Sequence, residues 1–191
     1  MKYMWLSMGR AERKPQRHFQ RYNQGVTLVE MMIVVVILGI VASIAVPSFN
    51  SYFERERVKR AAEDIYGLVL QAKAEGPIRD ADMSVSVDTD AWCVGFSATP
   101  NCVCADNACR IDVANATGDD GVVQVVSGTD HPDVTIAGIA GTTFEQPRGS
   151  ANTPGNITVT SGGSSLQIQI TTEGRVRLCN PNGDSQGYDE C

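Results

Sequence analysis

Residues 26–46 read VTLVEMMIVVVILGIVASIAV, an apolar run interrupted by one carboxylate, Glu30, near its start. At about 1.5 Å per residue such a run matches a hydrocarbon core of ~30 Å, and it predicts a single membrane-spanning helix. A carboxylate at that depth costs on the order of 2.5–3.5 kcal/mol on insertion scales. A plain anchor has no use for Glu30. The acid calls for a cationic partner, and the free amine of a neighbouring chain is a good candidate. Two plainer readings compete. One is a simple single-pass anchor that keeps Met1. The other is a secretory signal peptide cut after Ser43-Ile44-Ala45, leaving Val46 first, although its apolar stretch would be overlong and would hold an acid.

The charge is unevenly spread. Lys2, Arg10, Arg13, Lys14, Arg17 and Arg21 stand against Glu12 in the first 25 residues, so the net −6 of the 191-residue chain divides into +5 there and −11 beyond. A basic head stays cytoplasmic under the positive-inside rule, which places the C-terminal bulk outside the membrane. The acidic body argues against broad, nonspecific nucleic-acid binding. All six cysteines fall in that body: Cys93, Cys102, Cys104, Cys109, Cys179 and Cys191. An even count in an exported segment reads as disulfides. Zinc is disfavoured, because Cys102-x-Cys104 lacks a knuckle gap and neither His18 nor His131 lies nearby.

Four regions are expected along the chain. Residues 1–25 have no apolar period and read as a basic head, which the resemblance given below implies is a removed leader. Residues 26–46 are the transmembrane half of a long helix, and 47–76 its amphipathic half. In the latter Val58, Ala61, Ala62, Ile65, Leu68, Val69 and Ala72 recur with helical spacing. The opposite side carries Glu54, Arg55, Glu56, Arg57, Lys59, Arg60, Glu63 and Asp64, which read as a solvated face with i, i+4 pairs, or alternatively as a contact face for neighbouring subunits. Gly76-Pro77 is expected to end the helix. Residues 77–191 shift to a period of two, with strands expected at 83–87, 91–96, 110–113, 121–126, 134–136, 156–160, 165–171 and 175–178. Turns fall at Asn152-Thr153-Pro154-Gly155 and Ser161-Gly162-Gly163-Ser164. The fold class is α+β, one long N-terminal helix whose second half packs on an antiparallel β-sheet domain.

No enzyme constellation emerges. His131 reads as a solvated loop residue, and no nucleophile and base stand at a recognisable spacing. Gly138-Ile139-Ala140-Gly141 lacks phosphate-loop spacing. Asp119-Asp120 and Asp189-Glu190 lack an EF-hand pattern and read as exposed turn acids rather than calcium ligands. No cofactor and no metal are expected.

Gly25-Val26-Thr27-Leu28-Val29-Glu30, a basic segment before it and an apolar run after it resemble the processing site of type IV prepilins and type II secretion pseudopilins. The resemblance implies an inner-membrane prepilin peptidase that cuts after Gly25 and N-methylates Val26, where the family usually has Phe. It implies that Val26 is the mature N-terminus, that Glu30 meets the amine of a neighbouring subunit, and that Pro47 marks the place where the helix loosens on assembly. The implied partners are other major and minor pilins or pseudopilins.

A second region, Phe144-Glu145-Gln146-Pro147-Arg148-Gly149, then Gly155-Asn156-Ile157-Thr158, then Gly174-Arg175-Val176-Arg177, is similar to the C-terminal domain of the GspH/FimT group. In competence members of that group the matching G-R-x-R is associated with DNA. Strand alternation puts Arg175 and Arg177 on one side, where two guanidinium forks can grip successive phosphates. The competing reading pairs both arginines with local acids, Glu173, Asp184, Asp189 or Glu190. The resemblance also implies a Cys179–Cys191 bridge closing a C-terminal loop. The other four cysteines are expected to pair locally, with the connectivity open. The implied function is a minor pilin or pseudopilin in pilus biogenesis or protein secretion, with DNA uptake as the alternative.

Overall fold

The computed structural model describes residues 25–111, 121–183 and 187–191, with the side chains of all of these except 44–48. The basic leader with His18, the strand positions Asp112 and Val113, and the acids Asp119, Asp120 and Asp184 lie outside the described residues. The chain divides into two compact units, one up to Ala42 and one from Ser43 to Cys191. Helix α1, Leu28–Arg79, supplies residues to both and includes Pro47.

In the first unit the large apolar side chains from Leu28 to Val41 are exposed. A helix apolar on every side has no preferred face to bury within its own chain. The apolar run with described side chains, 28–43, is ~24 Å long at helical rise. Among the described residues no helix is long and apolar enough to cross a membrane. The last turn needed for the expected span, up to Val46, falls within 44–48.

In the second unit the helix has one buried face. Val58, Ala61, Ala62, Ile65, Leu68, Val69 and Ala72 all enter a single core with two antiparallel sheets. The first sheet has the order β5-β2-β1-β7-β8, where β1 is Met83–Asp88, β2 Cys93–Ser97, β5 Val125–Ser127, β7 Gly141–Glu145 and β8 Ser150–Ala151. The second has the order β11-β10-β9-β6, with β6 Thr135–Gly138, β9 Gly155–Ser161, β10 Ser164–Ile170 and β11 Val176–Cys179. A small pair, β3 (Arg110–Ile111) and β4 (Val122–Val123), stands beside them. Alternation decides which side chains enter the core. Val85, Val87, Val94, Phe96 and Phe144 point in from the first sheet, and Ile157, Val159, Leu166 and Ile168 from the second. Each fully buried apolar side chain contributes about 1.5–3 kcal/mol.

Several expectations change. The helix does not stop at Gly76. It runs to Arg79, Asp80 takes the left-handed conformation at φ 50°, and the Ala81 amide closes back on the Gly76 carbonyl at 3.2 Å. That is a Schellman closure around a non-glycine residue. Pro77 fits the last turn, at the cost of one helical N–H. Gly76 is needed for a different reason: a Cβ there would run into the side chain of Gln146. Strands β7 and β8 lie where the pattern predicts none, because Gly141-Thr142-Thr143 and Ser150-Ala151 lack bulky alternation.

The charged side of α1 is not merely solvated. Arg57 pairs with Asp133 at 2.9 Å, Asp64 with His131 at 3.2 Å, and the Glu54 carboxylate accepts from the Gly163 amide at 3.4 Å. Tyr188 donates its hydroxyl to Glu63. Loops of the same domain therefore use this side of the helix. His131, expected in solvent, has only 10% of its side chain exposed and stacks on Trp92 at 5.6 Å.

Candidate functional site

The N-terminal motif begins with a helix cap. The Met31 amide donates to the Thr27 carbonyl and the Glu30 amide donates to Thr27 Oγ1, both at 3.2 Å. Thr27 is thus the N-cap and Glu30 the third helical residue, the spacing of a capping box. Glu30 is exposed in the first turn, where a carboxylate opposes the positive end of the helix dipole. Gly25 and Val26 precede the helix, outside regular structure and exposed.

The C-terminal signature is brought together by tertiary contact. Hairpin β10–β11 turns through Thr172-Glu173-Gly174, closed by Thr171 N to Arg175 O at 3.0 Å and Gly174 N to Thr171 O at 2.8 Å. Gly174 has φ 73° and Gly149 φ 65°. A Cβ on Gly174 would strike the Gly149 carbonyl oxygen. Lys73 of α1 ties the two together: its ammonium donates to the Gly174 carbonyl at 2.7 Å, and its Cε would lie 3.2 Å from a Cβ on Gly149. Arg148-Gly149 and Gly174-Arg175, far apart in sequence, are therefore one local unit. Its glycines serve backbone contact, and its arginines are exposed.

Arg175 lies just before β11, and Arg177 lies within it. Arg177 is engaged. Its Nε donates to Gln169 Oε1 at 2.7 Å, and another guanidinium nitrogen donates to the Cys191 main-chain oxygen at 2.8 Å. The partners among the described residues are a side-chain amide oxygen and a main-chain oxygen, not the side-chain carboxylates expected. Gln169 continues to Gln167 and Gln167 to Thr158, each at 3.2 Å, so Arg177 ends a polar ladder across the outer face of this sheet. A main-chain hydrogen bond first, then Thr171, hold the Glu173 carboxyl below its ordinary pKa, and the charge of Arg175 adds least.

Three disulfides close the domain. Cys93 bonds Cys104, Cys102 bonds Cys109, and Cys179 bonds Cys191. The first two interlock: Cys93–Cys104 pins the 98–109 loop to the outer face of β2 and Cys102–Cys109 closes that loop on itself, while Gly95 leaves the room, since a Cβ there would lie 2.6 Å from Cys109 Sγ. The third frames Asn180, fully buried, whose main-chain N–H donates to the Asp189 carbonyl and whose carbonyl accepts from the Cys191 N–H. Asp189 and Glu190 belong to this C-terminal closure, and among the described residues no three acids, histidines or cysteines are grouped to hold a metal.

Residues 20–46 match the prokaryotic N-terminal methylation motif. Residues 61–174 match the family described as Type II transport protein GspH. The chain belongs to the GspH family. A fimbrial protein of Pseudomonas aeruginosa is 34% identical over 108 residues, covering 55% of this chain and 67% of that protein. Among solved structures, the type IV minor pilin FimU of Pseudomonas aeruginosa has a TM-score of 0.48 at 15% identity, covering 66% of this chain and 91% of FimU. The minor pseudopilin EpsH from the Type 2 Secretion System of Vibrio cholerae has a TM-score of 0.47 at 17% identity, covering 65% of this chain and 98% of EpsH. The fold is α+β and pilin-like, and the protein is a pilin- or pseudopilin-like subunit of a family of structural subunits. The GspH match ends at Gly174, so it includes Arg148, Gly149 and Lys73 but stops short of Arg175 and Arg177. Sequence reasoning missed Thr27 and Lys73. The Thr-x-x-Glu spacing was available for the first. For Lys73 nothing local indicates that its ammonium meets a carbonyl 101 residues away.

Proposed function

We propose that this GspH-family chain is a minor pilin or pseudopilin. In this reading it is held in the inner membrane by residues 26–46, with its β-rich domain in the periplasm. A prepilin peptidase cuts it after Gly25 and methylates Val26. It then joins other major and minor pilins or pseudopilins in a type IV pilus tip or a type II secretion pseudopilus. It performs no catalysis. The observation that carries the reading is Glu30, the one carboxylate in the 28–43 stretch of the helix, whose large apolar side chains are exposed. In an apolar bundle of such helices two unpaired charges are costly and a pair far less so, so Glu30 on the amine of a neighbour's Val26 sets the axial register. Pro47 is the point where the helix loosens on assembly. Glu30→Val is expected to be processed normally yet recovered poorly with partner subunits in a pull-down. Normal recovery would refute the pairing.

A second reading, contact with DNA, is favoured by the exposure of Arg175 and Arg177. It requires Arg177 to exchange Gln169 and the Cys191 main-chain oxygen for phosphate. Arg175→Ala/Arg177→Ala should then abolish binding of the full-length protein to duplex DNA at low salt, where phosphate contacts are strongest. Absence of binding by the unaltered protein under those conditions removes this reading.

A further inference from the structure

We propose that the outer face of the first sheet is a docking groove for an extended, basic segment of a partner polypeptide. Two clefts lie on this face, of about 630 Å³ and 360 Å³, and they share Asn101 and Ala140. Ser84 belongs to the larger, and Ser86 and Asp88 to the smaller. These are the outward positions of β1, opposite Ser97, Gly95 and Cys93. The groove therefore tracks a strand. One wall, Asn101 to Cys104, is held by the Cys93–Cys104 and Cys102–Cys109 bridges, so it is built rather than adaptable.

Its charge is of one sign. Asp82 and Glu145 line the larger cleft and Asp88 and Asp90 the smaller, while no Lys, Arg or His lines either. Among the described residues none of the four forms an ion pair. Asp88 is occupied in part, accepting the Asp90 and Ala91 amides at 3.0 and 2.9 Å, and Asp82 accepts the Gln146 amide at 2.7 Å. Glu145 and Asp90 are exposed. From Asp82 to Asp88 the strand rises about 20 Å. Carboxylates at both ends of a hydroxyl-lined trough suit two basic side chains about six residues apart on an extended chain, because cross-interface charge complementarity fixes register. The spread of the four acids along a strand favours a polypeptide over a single ion. The groove is built wholly from residues of the second unit, and its test does not require entry into a filament.

The probe is a fluorescent peptide, acetyl-KSTSTSK-amide, titrated by polarisation against the full-length protein in detergent at low salt. Binding is expected, weakened about tenfold or more by Asp90→Asn/Glu145→Gln and little changed by Asp130→Asn/Glu173→Gln, which removes the same charge elsewhere. Carbodiimide coupling should join the peptide lysines to Glu145 or Asp90. No binding, equal loss in both double variants, or coupling confined to other acids would overturn the proposal. So would displacement of the peptide by calcium alone, which marks an ion site, or self-association lost in the groove variant, which marks a second copy as the occupant.

Discussion

Thr27 and Glu30 stand three residues apart, and that spacing gives the acid a local role besides the one its depth suggests. Thr27 Oγ1 takes the Glu30 amide, so the residues that would follow a cut after Gly25 are already organised as a helix start. Thr27→Ala is expected to cost about 1 kcal/mol at this end, read as roughly fivefold faster hydrogen exchange of the Glu30 amide, whereas Thr27→Ser keeps the protected rate. Equal exchange in all three proteins would show that the cap is idle. Tyr188 makes a different prediction. Burial first, then its hydrogen bond to Glu63 and the charges of Glu63 and Glu56, push the phenol up from its ordinary value. A raised folded pKa contributes stability below the unfolded value, ~10, and loses it as pH climbs through the folded one. Tyr188→Phe should therefore flatten the alkaline fall of the urea midpoint. An alkaline limb identical in the two proteins would remove Tyr188 from the account.

Hairpin β10–β11 shows what an element demands of single positions. Gly174 needs a left-handed φ and must also let the Gly149 carbonyl approach, so Gly174→Ala meets both a strained backbone and a collision. About 3 kcal/mol or more is expected from thermal or urea unfolding. Gly163 in the β9–β10 turn has open space where a Cβ would go, and Gly163→Ala should stay within about 0.5 kcal/mol. Similar losses at the two sites would mean that the Gly149–Gly174 contact is unimportant. The interlocked bridges at Cys93–Cys104 and Cys102–Cys109 act on another element, the loop over β2. Each short closure contributes about 2–3 kcal/mol by restricting the unfolded chain.

At the scale of the molecule, the division of charge and apolarity along the chain gives a basic head, an apolar helix half and an acidic β-rich body. The helical period over 58–72, the changeover to strands near Met83 and the N-terminal methylation motif within 20–46 were legible because each depends on neighbours a few residues apart. The groove over β1, the disulfide pairing at β2 and the meeting of Gly149 with Gly174 were not, since they join residues whose separation along the chain says nothing of their distance in space. His131 is the plainest case: read locally it belongs in solvent, yet Trp92 and Asp64 enclose it. What the sequence alone determined is the order of elements and the character of each face, through period and composition. Which of those faces meet, and therefore which arginine is engaged, which glycine is indispensable and which acids line a common cleft, was decided only by tertiary packing, because contacts between distant strands depend on register and crossover, and no local pattern encodes either.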